Sequence, residues 1–414
     1  MTLWSQKINH TEQSRDSPPS TRSACSDLMF KIEQASKQLC RFQCQTKSHN
    51  KARRLAMTPK NTQLDFTGQH IFVGIDVGKK KWIVCLLTQF SEHKVFTQAP
   101  QVSILAKYLH RTFPGATYHC VYEAGYCGFW IQEQLQQHHI DCMVVHPADV
   151  PTKHREKAFK TDRIDARKLA RALRNADLEA LYVPSRHAQE DRSLVRLRYM
   201  TVKDQTRCKN QIKALLSYYG IDLPQEIVGS HWSKNFLKYL DSIRMERATG
   251  DVVLNTQLAK LLSIRQFLVS ITKQIRALAQ DNRYCQSVVY LISAPGISTL
   301  TAMILLTELV DIHRFKTLDD LAAYCGLVPG EHSSGEDEII TGITSRRNPF
   351  LRRILIESAW VAARKDPALI MAFNTLAKRM PKNCAIVRIA RKLLNRIRFI
   401  LLHQQPYQHS VMAA

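Results

Sequence analysis

From residue 70 onward, apolar residues fall in short unbroken runs separated by polar turns. His-Ile-Phe-Val-Gly-Ile-Asp-Val-Gly at 70–78 is a strand run with one acid, Asp76, inside it. After a Lys-rich turn the run resumes at 82–87, which predicts a hairpin. Helical spacing at 102–113 and 129–138 alternates with strand runs at 119–123 and 141–145. Strands alternating with helices predict an α/β domain.

Beyond Pro147 the pattern turns helical. Leu254, Leu258, Leu261, Leu268, Ile271, Ile275 and Leu278 repeat with a four-three spacing that Arg265 interrupts, as in a coiled coil or a long packed helix. Burial within one chain and self-association both satisfy that stripe. The uncharged run 284–307 is long enough to span a bilayer at roughly 20 residues. It contains Pro295, Gly296 and several Ser and Thr, so it reads instead as two helices joined by the hairpin Ala294-Pro-Gly-Ile-Ser. A glycine-punctuated stretch, 326–342, follows. These shifts divide the chain into a polar extension (1–66), an α/β domain (67–215), a helical or coiled-coil segment (216–285) and a mostly helical C-terminal domain (286–405). The extension reads as disordered, and Met57, just before the first strand, is a second candidate start.

Charge narrows the partners. The chain has 59 Lys and Arg against 35 Asp and Glu, a net charge of +24, which concentrates polyanions and makes their binding salt-sensitive. Between Lys153 and Lys213 there are 17 basic and 8 acidic residues, and between Arg346 and Arg398 there are 14 against only Glu357 and Asp366. Nucleic acid is the partner this implies, with Lys160, Arg163, Arg167, Lys209, Lys213, Arg346, Arg347, Arg352 and Arg353 as candidate phosphate contacts. No membrane anchor is legible. The 11 cysteines are odd in number and lack any Cys-x-x-Cys pair; this suits buried thiols in a reducing cytoplasm rather than disulfides or zinc.

Against this basic background four acids stand out. A carboxylate inside an apolar strand needs a partner. Asp76, joined by Glu123 at the end of another strand, offers the hard oxygen ligands that Mg²⁺ prefers. Lys160-Thr-Asp162-Arg-Ile-Asp165-Ala sets two more carboxylates three apart, on one helix face, with Thr161 as N-cap. Each acid alone could simply face solvent or pair with a cation. Two metal ions held by such a set would stabilise the attacking and leaving oxygens of phosphoryl transfer. In the loop ending His332-Ser333-Ser334-Gly335, a serine before a flexible glycine meets the needs of an exposed nucleophile.

In order and spacing, Gly74-Ile-Asp76-Val, Tyr122-Glu123-Ala-Gly and Lys160-Thr-Asp162-Arg-Ile-Asp165-Ala resemble the DEDD transposases of insertion-sequence family one hundred and ten, the bridge-RNA-guided recombinases. Further matches are Val183-Pro184, Leu194-Val-Arg, Lys209-Asn-Gln-Ile-Lys213, Ala294-Pro-Gly-Ile, Gly326-Leu-Val-Pro329, Ser334-Gly335 and the segment from Asn348 to Arg353. The resemblance covers about residues 71–402. It implies a ribonuclease H-like (RuvC-like) N-terminal domain, a helical coiled-coil middle and a mostly helical C-terminal domain supplying a serine nucleophile. Asp76, Glu123, Asp162 and Asp165 would bind Mg²⁺, and Ser334 would attack DNA to give a phosphoserine intermediate. A structured guide RNA, DNA element ends and targets, and dimers or tetramers at the bacterial nucleoid are also implied. The chain departs from the family where Ser345-Arg346-Arg347-Asn348 replaces a Lys-x-Gly-Asn turn. Ser333 stands beside Ser334 as an alternative nucleophile, and the Ser-Gly match favours Ser334.

The expectation is therefore an enzyme that cuts and rejoins DNA. Two rivals make different demands. A metal-only junction resolvase would not need Ser334, and a non-enzymatic basic packaging protein would need none of the four acids.

Overall fold

The computed structural model describes residues 64–152, 161–223, 232–334, 337–343 and 347–408. The chain divides into two compact units, with the boundary between Glu179 and Ala180.

The first unit is built on β1 (His70–Val77), β2 (Trp82–Leu87), β3 (Glu92–Gln98), α1 (Val102–Thr112), β4 (Thr117–Glu123), α2 (Trp130–Gln137), β5 (Asp141–Val145) and α3 (Asp162–Arg174). The five strands form one sheet in the order β3-β2-β1-β4-β5. β1, β2 and β3 are antiparallel neighbours, whereas β4 and β5 run parallel to β1. All six residues of β2 are buried, because helices cover both faces of the sheet and an unbroken apolar run is what such a strand requires. Successive side chains alternate between the faces. Trp82 meets Trp130 of α2, ring centres 6.0 Å apart, while Ile83, Cys85 and Leu87 pack with Ala166 and Ala170 of α3. This mixed sheet with helices agrees with the ribonuclease H-like expectation. β3 is an edge strand whose Glu, His, Lys and Gln mask its period, so it is not legible in the sequence.

α3 lies directly on the backbone of β1. A Cβ built on Gly74 would fall 2.2 Å from Ala166 O and 2.5 Å from Ala170 N, so the glycine sets how close helix and sheet can come. Leu169, on the same helix, packs with Val121, Val145 and Val150. The Thr161 hydroxyl accepts from Ile164 N at 3.3 Å, which starts the helix where the N-cap reading expected it.

The second unit is mostly helical: α4 (Arg186–Tyr218), α5 (Lys234–Ser242), α6 (Ala248–Leu278), α7 (Cys285–Ile292), α8 (Thr299–Leu309), α9 (Leu318–Cys325), strands β6 (Pro329–Ser334) and β7 (Asp337–Ile343), then α10 (Pro349–Lys365), α11 (Pro367–Ala377) and α12 (Lys382–His403). α4 and α6 run antiparallel, as Arg198 bonds Thr272 while Cys208 bonds the Gln257 carbonyl. Leu254, Leu258 and Leu261 are buried with Cys208, Ile212 and Leu216 of α4 and with Phe236 and Leu240 of α5. Ile275 enters the larger core around α8, α10 and α12. The four-three stripe is thus covered at these positions by the chain's own helices.

Residues 284–307 form the expected helix pair, and no described helix is long and apolar enough to cross a membrane. At the turn Gly296 has φ +88°, and a Cβ there would lie 2.4 Å from Ser358 O. Asp366 is fully buried; it caps α11 at Leu369 N, pairs with Arg396 at 3.1 Å and accepts from the Tyr407 hydroxyl.

Candidate active site

The acids of the first unit gather where β1 and β4 end beside α3. Ile75 pairs with Tyr122 across the parallel ladder, so the next residues, Asp76 and Glu123, stand side by side on the face that α3 covers. The opposite neighbour of Asp76 is Ile83, a residue of the α3-facing cluster. Asp76 and Glu123 are half-buried. α3 delivers Asp165 from its first turn, and the Lys168 ammonium lies 3.5 Å from Asp165 and 3.7 Å from Glu123. The lysine side chain is only 11% exposed, so this is a largely desolvated contact in which one cation is shared by two carboxylates. Asp162, three residues earlier in the same first turn, is exposed.

The loop after Glu123 folds back over the strand ends. Tyr126 donates its hydroxyl to the Val77 carbonyl at 3.1 Å, and Lys79 sits 5.4 Å from its ring centre. Desolvation, with Cys127 and Asp76 adding negative charge nearby, raises the phenol pKa above its ordinary value. Neither Tyr126 nor Lys168 was assigned a role from sequence. The three-residue spacing from Asp165 to Lys168 was the available signal for the second; an aromatic beside a glycine after a strand gives too little for the first.

Carboxylate oxygens are the right donors for a hard divalent cation, and the shared ammonium shows that a positive charge fits between Glu123 and Asp165. Among the described residues, no three acidic, His or Cys groups already converge as a ready-made metal cluster.

Ser334 ends β6 and pairs with Asp337, the first residue of β7, so it occupies a hairpin end rather than an open loop. Gly335 lies outside the described residues, as do Lys160 and Arg346 of the candidate phosphate contacts. Arg163 and Lys213 are exposed. Lys209 lies 5.7 Å from the Trp232 ring centre, and burial, together with Arg265 and Lys213, pushes its pKa down. Arg167 is paired with Glu92 at 3.0 Å and Arg353 with Glu357 at 2.8 Å. Arg352 donates to the Gly326 carbonyl, while exposed Arg347 packs its aliphatic stem where a Gly326 side chain would be.

A carboxylate-bearing sheet and helix in a strongly basic chain fit the nuclease-like class of enzymes that act on nucleic acid. Residues 73–221 match the family described as DEDD_Tnp_IS110 transposase, and residues 289–373 match the one described as "Transposase IS116/IS110/IS902 family". The transposase for insertion sequence element IS1111A of Coxiella burnetii is 31% identical over 261 residues, 61% of this chain and 69% of its own. The transposase for insertion sequence element IS1533 of Leptospira borgpetersenii is 25% identical over 329 residues, 73% of this chain and 92% of its own. The chain belongs to the IS116/IS110/IS902 transposase family, and it is an enzyme of DNA strand transfer. Nuclease domains of the DEDD class work with divalent metal ions.

Proposed function

We propose that this insertion-sequence transposase cuts and rejoins DNA by attack of Ser334 on a phosphodiester, assisted by Mg²⁺ at Asp76, Glu123, Asp162 and Asp165. The observation that carries the reading is the convergence of Glu123 and Asp165 on one cation beside Asp76. When bound, the ion would offset charge on the phosphate oxygens and lower the pKa of a coordinated hydroxyl or water.

The chain's own groups do the rest. The Ser334 oxygen forms a bond to phosphorus, its proton leaves to a base or solvent, and the deoxyribose oxygen departs as a hydroxyl. The phosphoserine ester stores the cleaved bond until an incoming strand hydroxyl attacks it and restores the serine. Exposed cations such as Arg163, Lys213 and Arg347 hold the DNA backbone without reading bases. The family resemblance supports a structured guide RNA as the source of sequence choice, assembly as dimers or tetramers, and work in the cytoplasm at the nucleoid. By the same reading residues 67–215 are the RuvC-like domain, 216–285 a helical or coiled-coil segment and 286–405 the C-terminal transposase domain with the catalytic serine, after an extension of 1–66.

The test is a denaturing gel for a covalent protein–DNA adduct, using full-length protein, Mg²⁺, element-end DNA and the neighbouring non-coding RNA. An adduct in the native protein that vanishes in Ser334→Ala and Asp162→Ala is expected. Cleavage without an adduct, retained in Ser334→Ala, would replace this reading with a water-dependent resolvase.

A further inference from the structure

Lys168 has two sides. Its ammonium lies between Glu123 and Asp165, where a cation bound by both carboxylates would have to sit. The same residue lines a cavity of about 240 Å³ whose wall includes Thr152, Arg171, Asn175 and Asp177. That cavity offers two cationic side chains, a hydroxyl and an amide, with one carboxylate among them. Its composition suits a single phosphate group held mainly by Lys168 and Arg171.

A small divalent ion accepts carboxylate oxygens at about 2.0–2.1 Å, and an ammonium cannot stay in the same gap against that charge. Lysine carries its charge as a compact point on a flexible four-carbon stem, so it can leave the acids without moving the helix. We infer that Lys168 is a resident stand-in for the metal: it keeps Glu123 and Asp165 together in the metal-free protein, and on metal binding it turns to the neighbouring cavity to hold a DNA backbone phosphate with Arg171. This rests on the acid-site reading given above. It makes DNA grip at this cavity depend on metal loading, and so links the two steps through one side chain.

The experiment titrates full-length protein with Mn²⁺ by calorimetry, comparing native protein with Lys168→Met, Lys168→Gln and Asp165→Asn after circular dichroism confirms each fold. Removing the competing charge should tighten Mn²⁺ binding in both Lys168 variants by about tenfold or more, the effect of one nearby unit charge in a partly screened site. DNA binding is then measured against salt, with Ca²⁺ and without any divalent ion. The Lys168 variants should lose about one unit of salt slope with Ca²⁺ and almost nothing without it, since the acids already occupy the lysine there. Mn²⁺ binding no tighter than native in both variants, or a DNA deficit equal with and without Ca²⁺, would overturn the inference. Asp165→Asn separates the two levels: unchanged Mn²⁺ binding there would sink the acid-site reading itself, whereas a loss there beside unaltered Lys168 variants would sink only the stand-in role.

Discussion

Arg196 holds Glu308 as a bidentate pair, with Nε 2.6 Å from Oε1 and Nη2 2.8 Å from Oε2, and the carboxylate is wholly buried. Asn348 adds a third bond to Oε2 at 2.8 Å, and its own side-chain oxygen accepts from Phe350 N and Leu351 N to cap α10. One buried acid thereby ties α4, α8 and the start of α10.

Arg196→Met should destabilise the second unit by about 3 kcal/mol, because it strands a buried carboxylate. Denaturant unfolding checks this, and a loss under about 1 kcal/mol would mean that water reaches Glu308. Glu308→Gln should cost less, since the amide can still accept from one donor.

Gly74→Ala should cost about 3 kcal/mol, at the upper end for forced overpacking, because the new methyl meets backbone atoms of α3 rather than a movable side chain. The expected readouts are a lower melting temperature and weaker DNA cleavage, as α3 carries Asp165 away from Glu123. Unchanged stability and cleavage would show that the helix can slide at no cost.

Asp366 supplies a pH dependence with a definite sign. Burial pushes its carboxyl up, yet bonds from Tyr407, Leu369 N and Arg396 outweigh that and hold it below the ordinary value of 3.8. A lowered folded pKa adds stability that is present above 3.8 and is lost as pH falls through the folded value. Acid unfolding of native protein should therefore steepen below about pH 4, and Asp366→Asn should flatten that part of the curve. Equal acid profiles would remove Asp366 from the account.

The basic residues should separate by how they are already engaged. Lys213→Ala should lower the salt slope of DNA binding by about 0.9, one released counterion. Arg353→Ala should change it less, because that guanidinium is paired with Glu357. Equal slopes for the two variants would show that the Glu357 pair opens on DNA.

The residues that defined the sheet in the sequence were those whose burial leaves no choice of pattern: β2 is apolar at every position, and β1 has Asp76 as its only acid. β3 escaped because an edge strand can be polar on either side. The acids were legible through position and spacing, Asp76 inside an apolar strand run, Glu123 at the end of another, and Asp162 and Asp165 three apart. Their order in space was not: Asp165 turns inward to Lys168 while Asp162, the first residue of α3, is exposed, and a three-residue spacing alone does not say which acid faces the sheet. The leucine stripe of α6 was visible but its partner was not, since the same spacing serves an internal neighbour and a second chain equally well.

The paired α4 and α6 also set a length. At 33 and 31 residues and about 1.5 Å per residue, each is a rod of about 45–50 Å. That span equals the rise of about 14 base pairs of duplex at 3.4 Å each. Inserting two turns into only one helix would leave its partner short and put the apolar stripes out of register, so any change of reach would require matched insertions in both.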